Sequence, residues 1–429
     1  MKLNYRRTIL VGLAFMSISA FWQMYDSVVP LILSNTFDLN EGLTGAIMAI
    51  DNVLALFLLP VFGTLSDKVK TPIGKRTPFI IVGTAFTVIG MFFMPKADNS
   101  ENLLMFMIMT GMVLLAMSLF RSPAVALMPD VTPRPLRSKG NAIINLTGTV
   151  GAIYALVMIK VVVGPGLRPD YTNLFLSMII FMVVCTVLLA FTVHENKWER
   201  IAKETEEAAG ISHEEEVNVG KGKGSHLPSD KRKSLIFLLL SVCFWYMAYN
   251  AVTTAFSRYA TAVWGLEEGG FADCLLTATI AAIVGYIPIG LFANKIGRKK
   301  SIIIGVIMLI AGFAYVGLFS SFSWPINLGF VVIGVGWAAI NVNSFPMVVE
   351  IATDGDVGKY TGFYYTFSMA AQVITPTLSG FLLEVDYRIL FPYAAFFSIL
   401  ALITMLNVHH GDVKPLKKKS ILENLDVDD

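Results

Sequence analysis

Twelve apolar runs organise this chain, each about the length a helix needs to cross roughly 30 Å of hydrocarbon. They fall near residues 8 to 33, 43 to 62, 77 to 95, 102 to 128, 141 to 163, 172 to 193, 234 to 260, 271 to 292, 300 to 319, 325 to 349, 359 to 383 and 389 to 408. In lipid every backbone N–H and C=O must be paired internally, so runs of this length read as helices. Barrel strands would be half as long and alternate in polarity. The 429 residues are 55% hydrophobic and 15% charged, where a soluble chain carries about 25% charge. The predicted fold class is an all-α integral membrane protein with twelve transmembrane helices.

The charges that remain set orientation. Of the 33 Lys and Arg, 27 lie in loops on one side of the predicted membrane and four (Lys96, Arg168, Arg258, Arg388) on the other. That asymmetry predicts both termini and the longest loop in the cytoplasm, in a plasma-membrane protein. The expected organisation is a six-helix bundle over 1–193, a charged linker over 194–233, a second six-helix bundle over 234–408 and a cytoplasmic tail over 409–429. The linker, with Glu214, Glu215, Glu216 and the Lys231-Arg232-Lys233 cluster, reads as a solvated tether.

Several function classes are excluded. With 31 acidic residues against 33 basic ones, there is no net field to attract a nucleic acid. Cys185, Cys243 and Cys274 have no CxxC or CxxH spacing, so neither a disulfide framework nor a metal site is expected. The basic N-terminus leads into an apolar run too long for a signal peptide, which reads as the first span. Gly220-Lys-Gly-Lys-Gly-Ser225 has the wrong spacing for a phosphate-binding loop, and HExxH is absent, so neither ATP-driven work nor an enzyme is expected. The histidines, at 194, 213, 226, 409 and 410, all lie outside the runs, which excludes a histidine proton relay within the membrane.

The two halves repeat. Gly63-Thr-Leu-Ser-Asp67 with Gly74-Lys75-Arg76 returns as Gly290-Leu-Phe-Ala-Asn294 with Gly297-Arg298-Lys299-Lys300, and Asp130 with Lys139-Gly140 returns as Glu350 with Thr361-Gly362. These anchors, with Pro78-Phe79 after the first, resemble the loop signature of the major facilitator superfamily, whose plan is duplicated six-helix bundles with substrate near the midplane. Three stretches resemble the solute carrier 45 and plant sucrose transporter group, and more distantly the melibiose permease group. They are Gly63 to Phe79, Pro123 to Asp130 with Arg137-Ser-Lys-Gly-Asn141, and Phe345-Pro-Met-Val348 with Gly358 to Gly362 and Gln372. The departures are specific. Leu114 and Val125 stand where sucrose-transporter relatives carry a carboxylate and an arginine, and Ala55 and Leu59 where the melibiose group carries paired aspartates. The resemblance therefore implies neither sucrose itself nor a sodium site of the melibiose kind.

Ionisable groups inside a span cost roughly 2.5–3.5 kcal/mol on insertion scales and tend to face a wet cavity or a partner. Asp26, Asp51, Arg121 and Lys160 are such groups. Ser19, Trp22 and Asp26 share one helix face, and with Tyr25 they place aromatic rings beside a carboxylate, the chemistry of a sugar site. Asp26 and Asp51 lie at similar depth and could share a proton; Asp51 could equally bond with Asn52. By helical rise Arg121 falls roughly 15 Å below Asp26, so it reads as a separate contact to substrate or as an ion-pair partner of Asp67, Asp130 or Glu350. Lys160, near a span end, reads as snorkelling. In the second half Trp245, Tyr246, Tyr249, Asn250, Asn341, Asn343 and Gln372 offer rings and neutral amides, which suit a polyol or simply join helices.

The resemblance also implies a conformational latch at the cytoplasmic end, built from Gly63, Asp67, Lys75, Arg76, Asp130 and Arg137 and, in the second half, Gly290, Asn294, Arg298 and Glu350. In the family the Asp67 carboxylate caps a helix of the opposite half, and its basic neighbours pair across the gap. The expected activity is proton-coupled symport of a sugar or glycoside by a monomer with no cofactor. The alternative is proton-coupled export of amphipathic small molecules, which expects a cavity dominated by Met and Phe.

Overall fold

The computed structural model describes residues 3–133, 136–208, 228–267, 269–351 and 357–411. These residues are helical with no strand. The helices are α1 (Tyr5–Asn35), α2 (Glu41–Lys68), α3 (Thr77–Asn99), α4 (Leu103–Val131), α5 (Arg137–Val162), α6 (Thr172–Thr192), α7 (Glu195–Ala208), α8 (Ser229–Trp264), α9 (Phe271–Ile296), α10 (Arg298–Gly317), α11 (Ile326–Glu350), α12 (Val357–Leu383) and α13 (Leu390–Leu406). Short polar punctuation sets the ends. Asn4, Asn40 and Asn102 each accept a hydrogen bond from a backbone N–H in the first turn of α1, α2 and α4, at 3.2, 2.8 and 3.0 Å, satisfying donors that lipid would leave unpaired. Prolines persist inside seven of the helices, among them Pro30, Pro60, Pro123, Pro288 and Pro376, as membrane helices with packed neighbours allow.

Eleven helices among the described residues are long and apolar enough to cross a membrane, against the twelve runs of the sequence. In the eighth run the apolar stretch Phe271–Tyr286 is shorter, although the helix that contains it, α9, continues to Ile296.

The chain forms two compact units, Met1–Gly210 with Leu266–Leu276, and Ile211–Gly265 with Thr277–Asp429. In the first unit α1 packs on α5 and α6, α3 packs on α4 and α6, and α2 lies against α4. In the second, α8 packs on α12 and α13, and α10 on α11 and α13. These four pairings repeat those of α1 and α3 in the first unit, displaced by seven elements. Small residues allow the closest approach: a Cβ on Gly151 of α5 would stand 1.9 Å from the Met16 carbonyl oxygen of α1. Such backbone contact supplies the dispersion energy that joins helices in lipid.

The sequence reads 194–233 as a solvated tether, but its first part is the helix α7, with Glu195, Trp198, Ala202 and Glu206 buried. α7 lies along the end of α4, and the Arg7 guanidinium sits 5.3 Å from the Trp198 ring centroid.

Candidate functional site

The first unit carries a charged cluster. Phe21, Trp22 and Tyr25, one turn apart on α1, form a ring cluster. Phe21–Trp22 and Trp22–Tyr25 meet edge-on at 5.1 and 5.5 Å, and Phe21–Tyr25 are stacked at 5.7 Å. The Trp22 Nε1 and Tyr25 hydroxyl are buried, and neither has a hydrogen-bond partner among the described residues. A buried donor left in this state costs about 1–3 kcal/mol, so it marks a place where a polar ligand would be welcome. Asp26, on the same helix, interacts electrostatically with Asp51 of α2 and with Arg121 of α4, and Arg121 also acts on Asp51. Both carboxylates also act electrostatically on Tyr25. Asn52 donates to Asp51 at 2.9 Å.

Arg121 reaches the ring cluster of α1. Its guanidinium lies 5.9 Å from the centroid of Trp22, one turn from Asp26, within cation–π range. Counting rise along helix axes places only Cα atoms. Every Cα–Cβ bond leans toward its own helix N-terminus, and α1 and α4, an odd and an even span, run in opposite directions. Their side chains therefore lean toward each other, and the Arg121 side chain extends to the ring one turn from Asp26. Asp130 is occupied by other cations, as described below.

The second unit carries an uncharged cluster. Tyr249 of α8 stacks on Trp337 of α11 at 3.7 Å and 4°, and Tyr246 meets the same indole edge-on at 5.4 Å. The Tyr246 hydroxyl lies 3.5 Å from that of Tyr364, which is 3.0 Å from the Ser344 hydroxyl. Asn341 bonds with Tyr286. Asn250 Nδ2 is buried with no partner among the described residues. Two other candidates bond back to their own helices: Asn343 donates to Ala339 O at 2.9 Å and Gln372 to Ser368 O at 3.4 Å, each one turn earlier. Trp245 is fully buried, with Nε1 unpartnered among the described residues. Trp337, Tyr286, Tyr364 and Ser344 are missing from the sequence-derived set. A signal existed for two of them, because Tyr286 and Trp337 sit mid-span whereas such rings concentrate at membrane interfaces.

At the far end of α2 the latch candidates of the first unit come together. Arg76 donates Nε to Asp130 at 2.8 Å, Nη1 to Gly63 O at 3.2 Å and to Ser66 Oγ, and Nη2 to Asp67. Lys75 Nζ lies 3.2 Å from Asp130 and 3.4 Å from Glu199. Burial works against the Arg76 charge, but the hydrogen bond and charge of Asp130, then Asp67, outweigh it and hold the guanidinium above its ordinary value. The basic residues that the resemblance expects to pair across the gap are thus paired inside their own unit. Arg137 donates to Thr132 O at 3.3 Å. Arg298 opens α10. Gly290, Asn294 and Glu350 belong to α9 and α11, but their surroundings lie outside the described residues. Lys160 does more than snorkel: its ammonium lies 2.7 Å from Asp273, which belongs to the same unit. Among the described residues no group of three or more His, Cys, Asp or Glu could hold a metal ion.

Comparison with known proteins gives this geometry a family. The chain is 20% identical over 374 residues to the isoprimeverose transporter of Lactiplantibacillus pentosus, a match covering 84% of this chain and 73% of that one. It is 23% identical to dipeptide and tripeptide permease A of Serratia proteamaculans (strain 568) over 209 residues, which is 45% of this chain and only 40% of the permease. Among solved structures, the inward-open xylose transporter XylE from E. coli superposes with a TM-score of 0.68 at 14% identity, covering 98% of both chains. A proton-dependent oligopeptide transporter structure reaches 0.70 at 13% identity, covering 94% of this chain and 98% of that one. At such identities these superpositions show the fold alone. The model of the MFS/sugar transport protein family matches residues 10–388, so the chain belongs to that family: it is a multi-span membrane transporter of the major facilitator superfamily and not an enzyme.

Proposed function

We propose that this protein is a proton-coupled symporter of a sugar or glycoside that works by alternating access. The observation that carries the reading is the pair of unpartnered buried donors, Trp22 Nε1 and Tyr25 OH, set beside Asp26, Asp51 and Arg121. The donors and rings suit a pyranose, whose apolar face packs on an aromatic ring while its hydroxyls bridge to polar atoms. Two carboxylates that act on each other, and on both of which one arginine acts, form a group that can take up one proton as a pair. The cluster of the second unit, of Tyr, Trp and amide side chains, presents donors and acceptors without charge, which favours a polyol over an ion or a peptide. It disfavours export of amphipathic compounds, which calls for Met and Phe in place of Tyr, Trp and Asn. The isoprimeverose transporter, matched over 84% of this chain, supports a sugar.

The proposal includes twelve spans in two pseudo-symmetric six-helix bundles, both termini in the cytoplasm, and a monomer in the plasma membrane. It also includes a latch role for the Asp67, Arg76, Asp130 and Lys75 network, which would form in one conformation and release in another. The test is uptake of a panel of labelled mono- and disaccharides into vesicles containing the purified protein under an imposed pH gradient. Accumulation of at least one sugar, abolished by a protonophore, is the expected result; no accumulation of any sugar under any gradient removes the reading.

A further inference from the structure

We propose that Glu195 is a positioning residue of the latch: its carboxylate, delivered by α7, fixes the turn from which Lys75 and Arg76 reach Asp67, Asp130 and Glu199. The inference rests on the latch reading proposed above, and concerns a segment that sequence alone marks as a tether.

α3 begins without a cap of its own. Its N-cap residue, Arg76, makes no side-chain capping bond, and an unsatisfied helix N-terminus leaves several backbone donors needing acceptors. Glu195 supplies them from another element. Its Oε1 accepts from the backbone N–H of Lys75 and of Arg76, both at 2.9 Å, and its Oε2 accepts from the Thr77 N–H at 3.0 Å and the Thr77 hydroxyl at 2.8 Å. The side chain is buried, and a negative charge at a helix N-terminus is favoured by the helix dipole as well. Asn196, the next residue, donates to Thr71 O at 3.0 Å and Pro72 O at 3.1 Å, so α7 grips the loop at two points. The loop is shaped for this guest. Gly74 has φ +119, and a Cβ there would stand 2.0 Å from Glu195 Oε2.

The consequence lies in which residues are held. The two backbone groups bonded to Oε1 belong to Lys75 and Arg76, whose side chains carry the ion pairs to Asp130, Asp67 and Glu199. Glu195 touches neither cation through its charged head. It acts by fixing the main chain from which both depart, so its loss should leave the acids in place and let the cations wander.

The test uses the full-length protein in lipid nanodiscs and needs no substrate for its first readout. The rate at which an amine-reactive reagent modifies Lys75, and the amide exchange of residues 75–77, are followed by mass spectrometry in Glu195→Gln, Glu195→Asp and Gly74→Ala. Gln keeps the length but offers an amide N–H₂ to donors that need an acceptor; Gly74→Ala displaces the carboxylate without altering any charge. Both should raise Lys75 modification and local exchange about tenfold, as expected for losing a charge-assisted hydrogen bond, while exchange in α10 stays as in the parent and reports an intact fold. Glu195→Asp, which keeps the charge, should recover most of the protection. Parent-like Lys75 modification in both Glu195→Gln and Gly74→Ala overturns the proposal, and so does an Asp variant no better than Gln. Uptake of the labelled mono- and disaccharides is then measured on the same variants. If Lys75 is released as expected and uptake is unchanged, the latch reading fails while the positioning by Glu195 stands.

Discussion

Replacing Tyr25 with Phe separates a structural hydroxyl from one waiting for substrate, because the two roles predict opposite signs. The ring contacts survive the change: Phe21 stacks on the Tyr25 ring at 5.7 Å and Trp22 meets it edge-on at 5.5 Å, and neither contact uses the oxygen. The hydroxyl is buried without a hydrogen-bond partner among the described residues. Removing a buried polar group that has no partner relieves a penalty of about 1–3 kcal/mol, offset in part by the small void left behind. The substrate-free protein should therefore be as stable as the parent or more so. Binding should move the other way. A hydrogen bond from that hydroxyl to a sugar oxygen contributes about 0.5–1.5 kcal/mol net, which is up to about tenfold in affinity. Thermal unfolding in detergent without sugar, beside the concentration dependence of uptake, reads both quantities. A variant that unfolds earlier than the parent and takes up sugar with unchanged affinity would refute the reasoning, since the hydroxyl would then be serving the fold.

Other outcomes follow from the same geometry. Asp26→Asn should leave exchange of sugar across the membrane intact and abolish uphill accumulation driven by a pH gradient, because the amide mimics a permanently protonated carrier; continued accumulation would place the proton elsewhere, with Asp51 next in line. Burial raises the Glu199 carboxyl, but Lys203 and Lys75 outweigh it and hold the group below its ordinary 4.5. A lowered carboxylate stabilises the docked state above its unfolded value and stops doing so as pH falls through the folded one. The protection of α7 amides, taken as exchange relative to the intrinsic rate at each pH, should therefore be flat at neutral pH and fall only below 4.5; a fall between pH 6 and 8 would assign the docking to other groups. A protease site inserted within 209–227 should be cut only from the cytoplasmic side, and cleavage from outside intact cells would reverse the orientation.

The parts of this molecule that lipid dictates were readable without coordinates. Hydrocarbon forces long apolar helices, so the runs appear as α1 to α6 and α8 to α13, with the stretch at Phe271–Tyr286 as the one that falls short. Asp67, Arg76 and Asp130 were readable as a group because each lies in a repeated anchor at a span end. The docking of α7 was not. Its buried positions Glu195, Trp198, Ala202 and Glu206 do recur at helical spacing, but two of the four are acids, and the partners of Glu195 are backbone N–H groups that no side-chain pattern announces. The approach of Arg121 to the Trp22 ring was not readable, because rise per residue locates Cα atoms and ignores the lean of opposed side chains. Trp337 was passed over because a tryptophan in an apolar run raises no alarm until its depth is considered, and its pairing with Tyr249 joins α8 to α11 across many intervening residues.

The central claim is that sugar and proton move together, and one measurement addresses it directly. Vesicles containing the purified protein, with no pH gradient and a lightly buffered medium, receive a pulse of the sugar found by the uptake panel while external pH is recorded. Coupled symport predicts an immediate alkalinisation of the medium in proportion to the sugar taken up, absent with a sugar that is not transported and lost in Asp26→Asn. Sugar entry with no movement of protons, or acidification on the same pulse, would contradict the account.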